Sequence, residues 1–330
     1  MTIIGGMSFV ALLFALLLEQ ARPLTSGHGV ERVFALWADW LRHTLDAGDP
    51  RHAWTAWGLA VGLPSLLAVV IHWLLVLTLG WFVAMLWSLA VLYATLGFRR
   101  FSHHFTGIRD ALAAGDDELA RELLRQWQGE LDLDMPRTDI VRHVIEYSSV
   151  AAHRHVFGVI TWFSVLAALG LGPAGALLFR LSALLSKDWV VAQPGQDVDA
   201  AQCSPALQSV TAMAWHRIDW VPARLTALSF AVVGNFEDAV DAWRQDADHF
   251  QNANDGVVLA ATAGAINVRL GGAGLRQPKT DALEADPVVE PTSGREAEFS
   301  HLRSMVGLVW RSVVMWMVLL ALLTLARTLG

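Results

Sequence analysis

From Trp57 to Phe98 the chain carries about 40 residues in which His72 is the only strongly polar side chain. Backbone N–H and C=O groups in so apolar a stretch find no water, so the chain itself must satisfy them, and a helix does so along its own length. The stretch is roughly twice the ~20 residues that cross a bilayer. It therefore predicts two spanning helices, 57–78 and 81–98, turning near Gly80, with Pro64 tolerated as a kink. Further apolar blocks predict spans at 2–18, 156–171, 219–234 and 305–325, the last despite Arg311 near its start. Met1–Leu18 ends at Glu19 and lacks both a basic leading region and a small-x-small cleavage site, so it reads as a retained helix. Of the residues, 54% are hydrophobic and 15 are Trp, which favours the membrane interface. The expected fold is all-α: a polytopic integral membrane protein with about six transmembrane helices, one membrane domain over 1–330, lying in the lipid bilayer of the inner cell membrane.

The segments between the spans have their own pattern. Val30–Leu41 is amphipathic, with Val33, Phe34, Trp37 and Leu41 falling on one face. In the polar segment 99–155, Asp116 is the expected N-cap of a helix that buries Leu119, Ala120, Leu123, Leu124 and Trp127. An acidic loop, Glu130–Asp134, then leads to a second amphipathic helix from about Thr138. The run Gly170–Gly175 breaks the fourth span, and Ala176–Leu185 reads as re-entrant or interfacial. Lys187–Arg217 reads as a loop, and Gln277–Glu298, rich in Pro, Asp and Glu, as a mobile one. Six crossings place 19–53, 98–155 and 235–303 on one side, with four, eight and six Lys and Arg residues. The other side keeps Lys187, Arg217 and Arg327. Basic loops favour the cytoplasm, so 99–155 and 235–303 are expected to be large cytoplasmic helical loops, with both termini outside.

Several classes of function are excluded. A net charge of -7 argues against a nucleic-acid partner. A lone cysteine, Cys203, excludes an internal disulfide and reads as a loop thiol. No P-loop, dinucleotide fingerprint, HExxH or GxSxG occurs. His103/His104 and His153/His155 lack the spacing of three or four that puts two ligands on one helix face, so no metal site is expected. The Gly271-Gly272 pair reads as a helix stop. Arg224, one turn inside an apolar helix, needs a partner or water; a snorkelling residue and a functional one account for it equally. Asp219 lies five residues earlier.

Two stretches carry a family resemblance: IDWVPARLTALSFAVVG at Ile218–Gly234 and NDGVVLAATAGAINVRLGG at Asn254–Gly272. They resemble the W-x-P-A-R-L-T-A-L helix and the N-x-G-x-x-x-A-A-x-A-G-A-x-x-V-R-L-G-G run of the CobD/CbiB family, the membrane adenosylcobinamide-phosphate synthases of cobalamin biosynthesis. The likeness extends to His104, Ala111–Asp116, Arg142–Glu146 and Pro173–Ala176. It implies amide condensation of adenosylcobyric acid with an aminopropanol phosphate, by an amide-forming ligase that consumes ATP with Mg2+ and holds no permanent cofactor. Other positions depart from that family. Its E-N-x-x-D-G stretch reads Val150–His155 here, its N-x-x-D reads Ala183–Ser186, its R-D-T loop falls at Gly129–Leu131, and its early D-P loop is not recognisable near Arg22-Pro23. In these losses, and around Arg154, the chain resembles AmpE, a membrane protein associated with β-lactamase regulation.

The resemblance therefore leaves three readings: a synthase with a diverged active site, a non-catalytic AmpE-like sensor or accessory protein, and a membrane protein binding an unrelated ligand. The site it implies gathers His104, Glu146, Asp219, Arg224, Asn254 and Arg269 at cytoplasmic helix ends. Asp219, Arg224, Asn254 and Arg269 would bind a corrinoid or another anionic small molecule, and Glu146 or His104 would carry the proton. Further partners implied are a second copy of the chain or other membrane proteins.

Overall fold

The structure is a computed structural model that describes residues 2–21, 29–128, 135–190, 203–271 and 291–329. The expectations for Arg22-Pro23, for 129–134, for Gly272 and for 277–290 lie outside the described residues. Helices α1 (Thr2–Ala21), α2 (Gly29–Leu45) and α3 (Pro50–Trp57) lead through a π-helical turn, Gly58–Gly62, into α4 (Leu63–Thr78) and α5 (Trp81–Thr95). Then come α6 (Phe98–Ala113), α7 (Asp117–Gln128) and α8 (Arg137–Ala152), a second π turn at His153–Phe157, α9 (Gly158–Ala168) and α10 (Ala174–Asp188). The last elements are α11 (Pro205–Val233), α12 (Phe236–Asp246), a 3-10 turn at Ala247–His249, α13 (Ala253–Ile266) and α14 (Phe299–Leu329). Among the described residues the one β feature is an isolated bridge between Val268 and Arg295.

These elements form two compact units. The first comprises Met1–Phe98, Arg154–Pro222 and Met317–Gly330, and the second Arg99–His153 and Ala223–Trp316. In the first, Phe34, Ala38 and Leu41 of α2 meet Ala53 and Ala56 of α3, Leu181 and Leu185 of α10, and Leu207 and Val210 of α11. Helices α9 and α10 approach each other at backbone distance. A Cβ on Gly158 would overlap the Phe179 ring, and one on Gly175 would overlap the Trp162 carbonyl.

The turn expected near Gly80 is present, with Gly80 at φ 87. Pro64 acts one turn upstream of itself. Its missing N–H and its ring disturb the preceding carbonyls, and the helix accommodates them by widening into the π turn just before α4. Asp116 caps α7 as expected, accepting from the Leu119 N–H at 2.9 Å.

Other expectations are corrected. By length and composition, three helical stretches among the described residues could cross a membrane: Pro50–Thr78, Arg137–Ala168 and Phe299–Ala326. This fits a membrane protein but not six full spans. Trp81–Thr95 and Ala253–Ile266 are apolar but shorter. The 15 residues of α5 measure about 22 Å, short of a ~30 Å hydrocarbon core. Within Lys187–Arg217, the part from Pro205 onward is helix and not loop, and 191–202 lie outside the described residues: α11 starts at Pro205, where Ser204 Oγ accepts from the Leu207 N–H at 3.2 Å. The caps Ser204 and Pro205 override the polarity that suggested a loop. Val33 is 67% exposed and Leu119 47%, so neither lies on the buried face of its helix.

The glycine contacts give a paired prediction. Gly175→Ala should destabilise the protein by about 1–3 kcal/mol, because the obstacle is a backbone carbonyl that cannot turn aside. Gly307→Ala, inside α14 with nothing within 4 Å of a new Cβ, should be neutral or stabilising by up to about 1 kcal/mol. Thermal unfolding in detergent micelles distinguishes the two.

Candidate functional site

The second unit is organised by α12 and α13. A Cβ on Gly264 would overlap the Asp238 carbonyl, and one on Gly256 would overlap the Ala247 carbonyl. Helix α13 therefore lies against its neighbours with no side chain between, and its small residues are what permit it. Asn252 caps α13, its side chain accepting from the Asn254 N–H at 3.1 Å and the Asp255 N–H at 3.4 Å. The opposite end stops at Asn267, in left-handed geometry at φ 52, with its N–H on the Ala263 and Gly264 carbonyls. Asn is one of the few side chains that tolerates this geometry. The stop therefore falls four residues before Gly271, which has another task.

Arg224, on α11, is half-buried, and Nη1 donates to Asn254 Oδ1 at 2.9 Å. Asn254 is buried, its N–H held by the Asn252 cap and its side chain by Arg224. Glu146, on α8, is 2% exposed. Its Oε1 accepts from the Gly271 N–H at 2.7 Å, whereas Oε2 has no hydrogen-bond partner and lies 3.9 Å from His143 Nδ1. Arg142 Nε stands 3.8 Å from Oε1, while its Nη1 pairs with Asp139 at 3.1 Å. The carboxylate is thus a clamp on the strand-like segment that follows α13.

That segment is held from its other side. The Arg269 N–H donates to the Arg295 carbonyl at 2.7 Å, the Thr292 N–H to the Leu270 carbonyl at 2.7 Å, and the Leu270 N–H to Thr292 Oγ1 at 2.9 Å. Asp246 accepts from the Ser293 N–H at 3.2 Å. The Arg269 side chain is exposed. Its backbone stands apart from Asn254, because the helix between them is about 20 Å long and only two residues separate Arg269 from the helix end. His104 lies on α6, its ring stacked on Trp127 at 5.6 Å, and Trp127 meets Tyr147 edge-on at 4.6 Å. Burial lowers the His104 pKa, and the neighbouring His103 lowers it further. Asp219 belongs to the first unit and is fully buried there.

The structure therefore joins Arg224 to Asn254, ties Glu146 to Gly271, and sets His104 into an aromatic column. Sequence reasoning missed the Asp246 and Glu146 clamps, because both hold backbone N–H groups and leave no spacing signal. It also missed the contact between His153 Nδ1 and Thr226 Oγ1 at 2.9 Å, with both residues fully buried. No group of three or more His, Cys, Asp or Glu side chains that could hold a metal occurs among the described residues.

An all-helical chain whose long apolar helices fit a membrane protein, with a polar pair at the start of a small-residue helix, defines the class. Residues 210–326, which include Arg224, Asn254 and Arg269, match the family model described as CobD/Cbib protein. The chain is 31% identical over 329 residues to the cobalamin biosynthesis protein CobD of Stutzerimonas stutzeri, covering 94% of this chain and 96% of that protein. It is 31% identical over 183 residues to the protein of the same name from Chromobacterium violaceum, covering 56% and 54%. With that from Leptospira interrogans it shares 27% over 208 residues, 60% of each. The chain belongs to the CobD/CbiB family. None of these relatives carries the AmpE name. No solved structure matches.

Two predictions follow from the geometry. Glu146→Ala leaves the buried Gly271 N–H unpaired and should cost about 1–3 kcal/mol, whereas Glu146→Gln keeps an acceptor and should cost less; thermal midpoints in micelles give the order. The second concerns His104. A group whose pKa is lower folded than unfolded binds fewer protons when folded, so stability falls as pH drops through the ordinary value of 6.5 and levels off below the folded value. His104→Gln should remove that part of the slope in melts recorded from about pH 8 down to about pH 5.

Proposed function

We propose that the chain acts in cobalamin biosynthesis, in the amide condensation of adenosylcobyric acid with an aminopropanol phosphate, through an active site diverged from the family pattern at Val150–His155. The observation that carries the reading is the Arg224–Asn254 hydrogen bond. It brings together one polar residue from each of the two family-like stretches, 30 positions apart, at the N-terminal end of α13. A guanidinium offers several donors in a fixed fork, suited to a phosphate, and the helix end adds a favourable dipole for an anion. Asn254 orients that fork, and Arg269, exposed beyond the other end of α13, contacts a separate part of a large ligand. His104, its imidazole kept neutral near pH 7 by burial, is the better proton acceptor for the attacking amine, because Glu146 is occupied with Gly271.

ATP enters as a consumed substrate and carries Mg2+ with it unchanged. The described side chains provide no cluster to hold the ion, so no step is assigned to a protein-bound metal. The chain sits in the inner membrane with the polar segments 99–155 and 235–303 in the cytoplasm, in line with their Lys and Arg content. One observation favours the non-catalytic, AmpE-like alternative: Val150, half-buried, and Ala151, buried, are apolar where the family pattern has Glu and Asn.

Complementation decides between them. In a cell lacking its own adenosylcobinamide-phosphate synthase, the chain should restore growth that depends on making cobalamin from cobyric acid and aminopropanol phosphate. Arg224→Ala should abolish that rescue while the protein remains in the membrane. Absence of rescue by the unaltered protein, shown to be present in the membrane, would overturn the synthase reading in favour of the non-catalytic one.

A further inference from the structure

Helix α2 has three faces where a helix between protein and water needs two. At roughly 100° per residue, Phe34, Ala38 and Leu41 form one row and enter the core of the first unit. A second row, Val33, Leu36 and Trp40, is 67%, 66% and 56% exposed. Arg32, Asp39, Arg42 and His43 fill the remaining side, with Arg42 bonded to Asp39 at 2.6 Å. Trp37 stands between the two apolar rows, half-buried, its ring stacked on Trp40 at 5.3 Å.

What covers the exposed row follows from where α2 is tethered. Only Asp46–Asp49 separate α2 from α3, and α3 opens the apolar stretch Pro50–Thr78. Four residues reach at most ~14 Å. The exposed apolar surface also continues along the same chain, through Trp54 and Leu59 into Leu66, Leu67 and Val70. A helix fastened this closely to the mouth of a span, with Trp at its exposed apolar edge and charge on the adjoining side, matches the requirements of the bilayer interface. We propose that α2 is an interfacial helix: one side packed on the protein, the Val33–Leu36–Trp40 row sunk among lipid headgroups and upper acyl chains, and the Arg32–Asp39–Arg42–His43 side in water. This is independent of the amide-forming reading and rests on the membrane character of the chain alone.

The test uses the full chain reconstituted in vesicles of phosphatidylcholine and phosphatidylglycerol. On a Cys203→Ala background, Leu36→Cys and Arg32→Cys each receive a nitroxide label; both positions are exposed, so the label displaces no core side chain. Relaxation by dissolved oxygen should exceed relaxation by a water-soluble nickel chelate several-fold at position 36, and the order should reverse at position 32. A label at 36 that meets the nickel chelate as freely as the one at 32 would place the row in water and overturn the proposal. A label at 36 shielded from both reagents would overturn it too, and would show a protein surface, such as a second copy of the chain, seated there.

Discussion

Gly264 lies where any side chain would strike the carbonyl of Asp238, and the second unit depends on that contact. Because no side chain intervenes, α12 fixes the position of α13 to within backbone contact. The two ends of α13 are fixed with it. At the first, the Asn252 cap holds the backbone of Asn254, whose side chain receives Arg224. At the second, Asn267 turns the chain into the segment that Glu146, Thr292 and Arg295 grip. A substitution at Gly264 or Gly256 would therefore be felt at Arg224 and at Gly271 without touching either.

The first unit uses the same device in a different setting. Gly158 and Gly175 let α9 and α10 meet with a ring or a carbonyl in the place of a side chain. Leu66, Leu67, Val70, Leu74 and Leu77 of α4 point outward. In hydrocarbon, apolar side chains gain little by turning inward, so close packing of small residues supplies the cohesion that burial supplies in water. This explains why large residues are exposed while Ala53, Ala56, Ala60 and Ala84 are fully enclosed.

The helical character of the chain was legible, and so were the Gly80 turn and the Asp116 cap, because each is set by residues within a few positions. What depended on tertiary context was not. Apolar length marked 81–98 as a span, but α5, at 15 residues, is too short. The amphipathic pattern around Phe34 was visible, yet periodicity alone could not separate a row facing protein from the adjacent row at Val33 and Leu36, since both are apolar. The Gly271-Gly272 pair looked like a helix stop, whereas Asn267 stops the helix and Gly271, at φ 86, presents its N–H to Glu146. At the site, Arg224 was marked by the cost of a charge in an apolar helix, but its partner Asn254 was reachable only through the resemblance.

The geometry also separates two messages carried by one family-like run. Of the residues from Asn254 to Gly271, Gly256 and Gly264 serve close packing, Ala260, Ala261, Ala263 and Ala265 are enclosed, and Gly271 serves the Glu146 clamp. Asn254 and Arg269 are the side chains of the run proposed above to meet a ligand. A strong match over such a run therefore speaks first for the fold, because most of its positions are there to let helices touch. Polar side chains are far fewer: Arg224 with Asn254, and those within Val150–His155. There the chain places a fully buried His153 against Thr226. The buried imidazole meets a hydroxyl there, at the point where the helix widens into the π turn His153–Phe157.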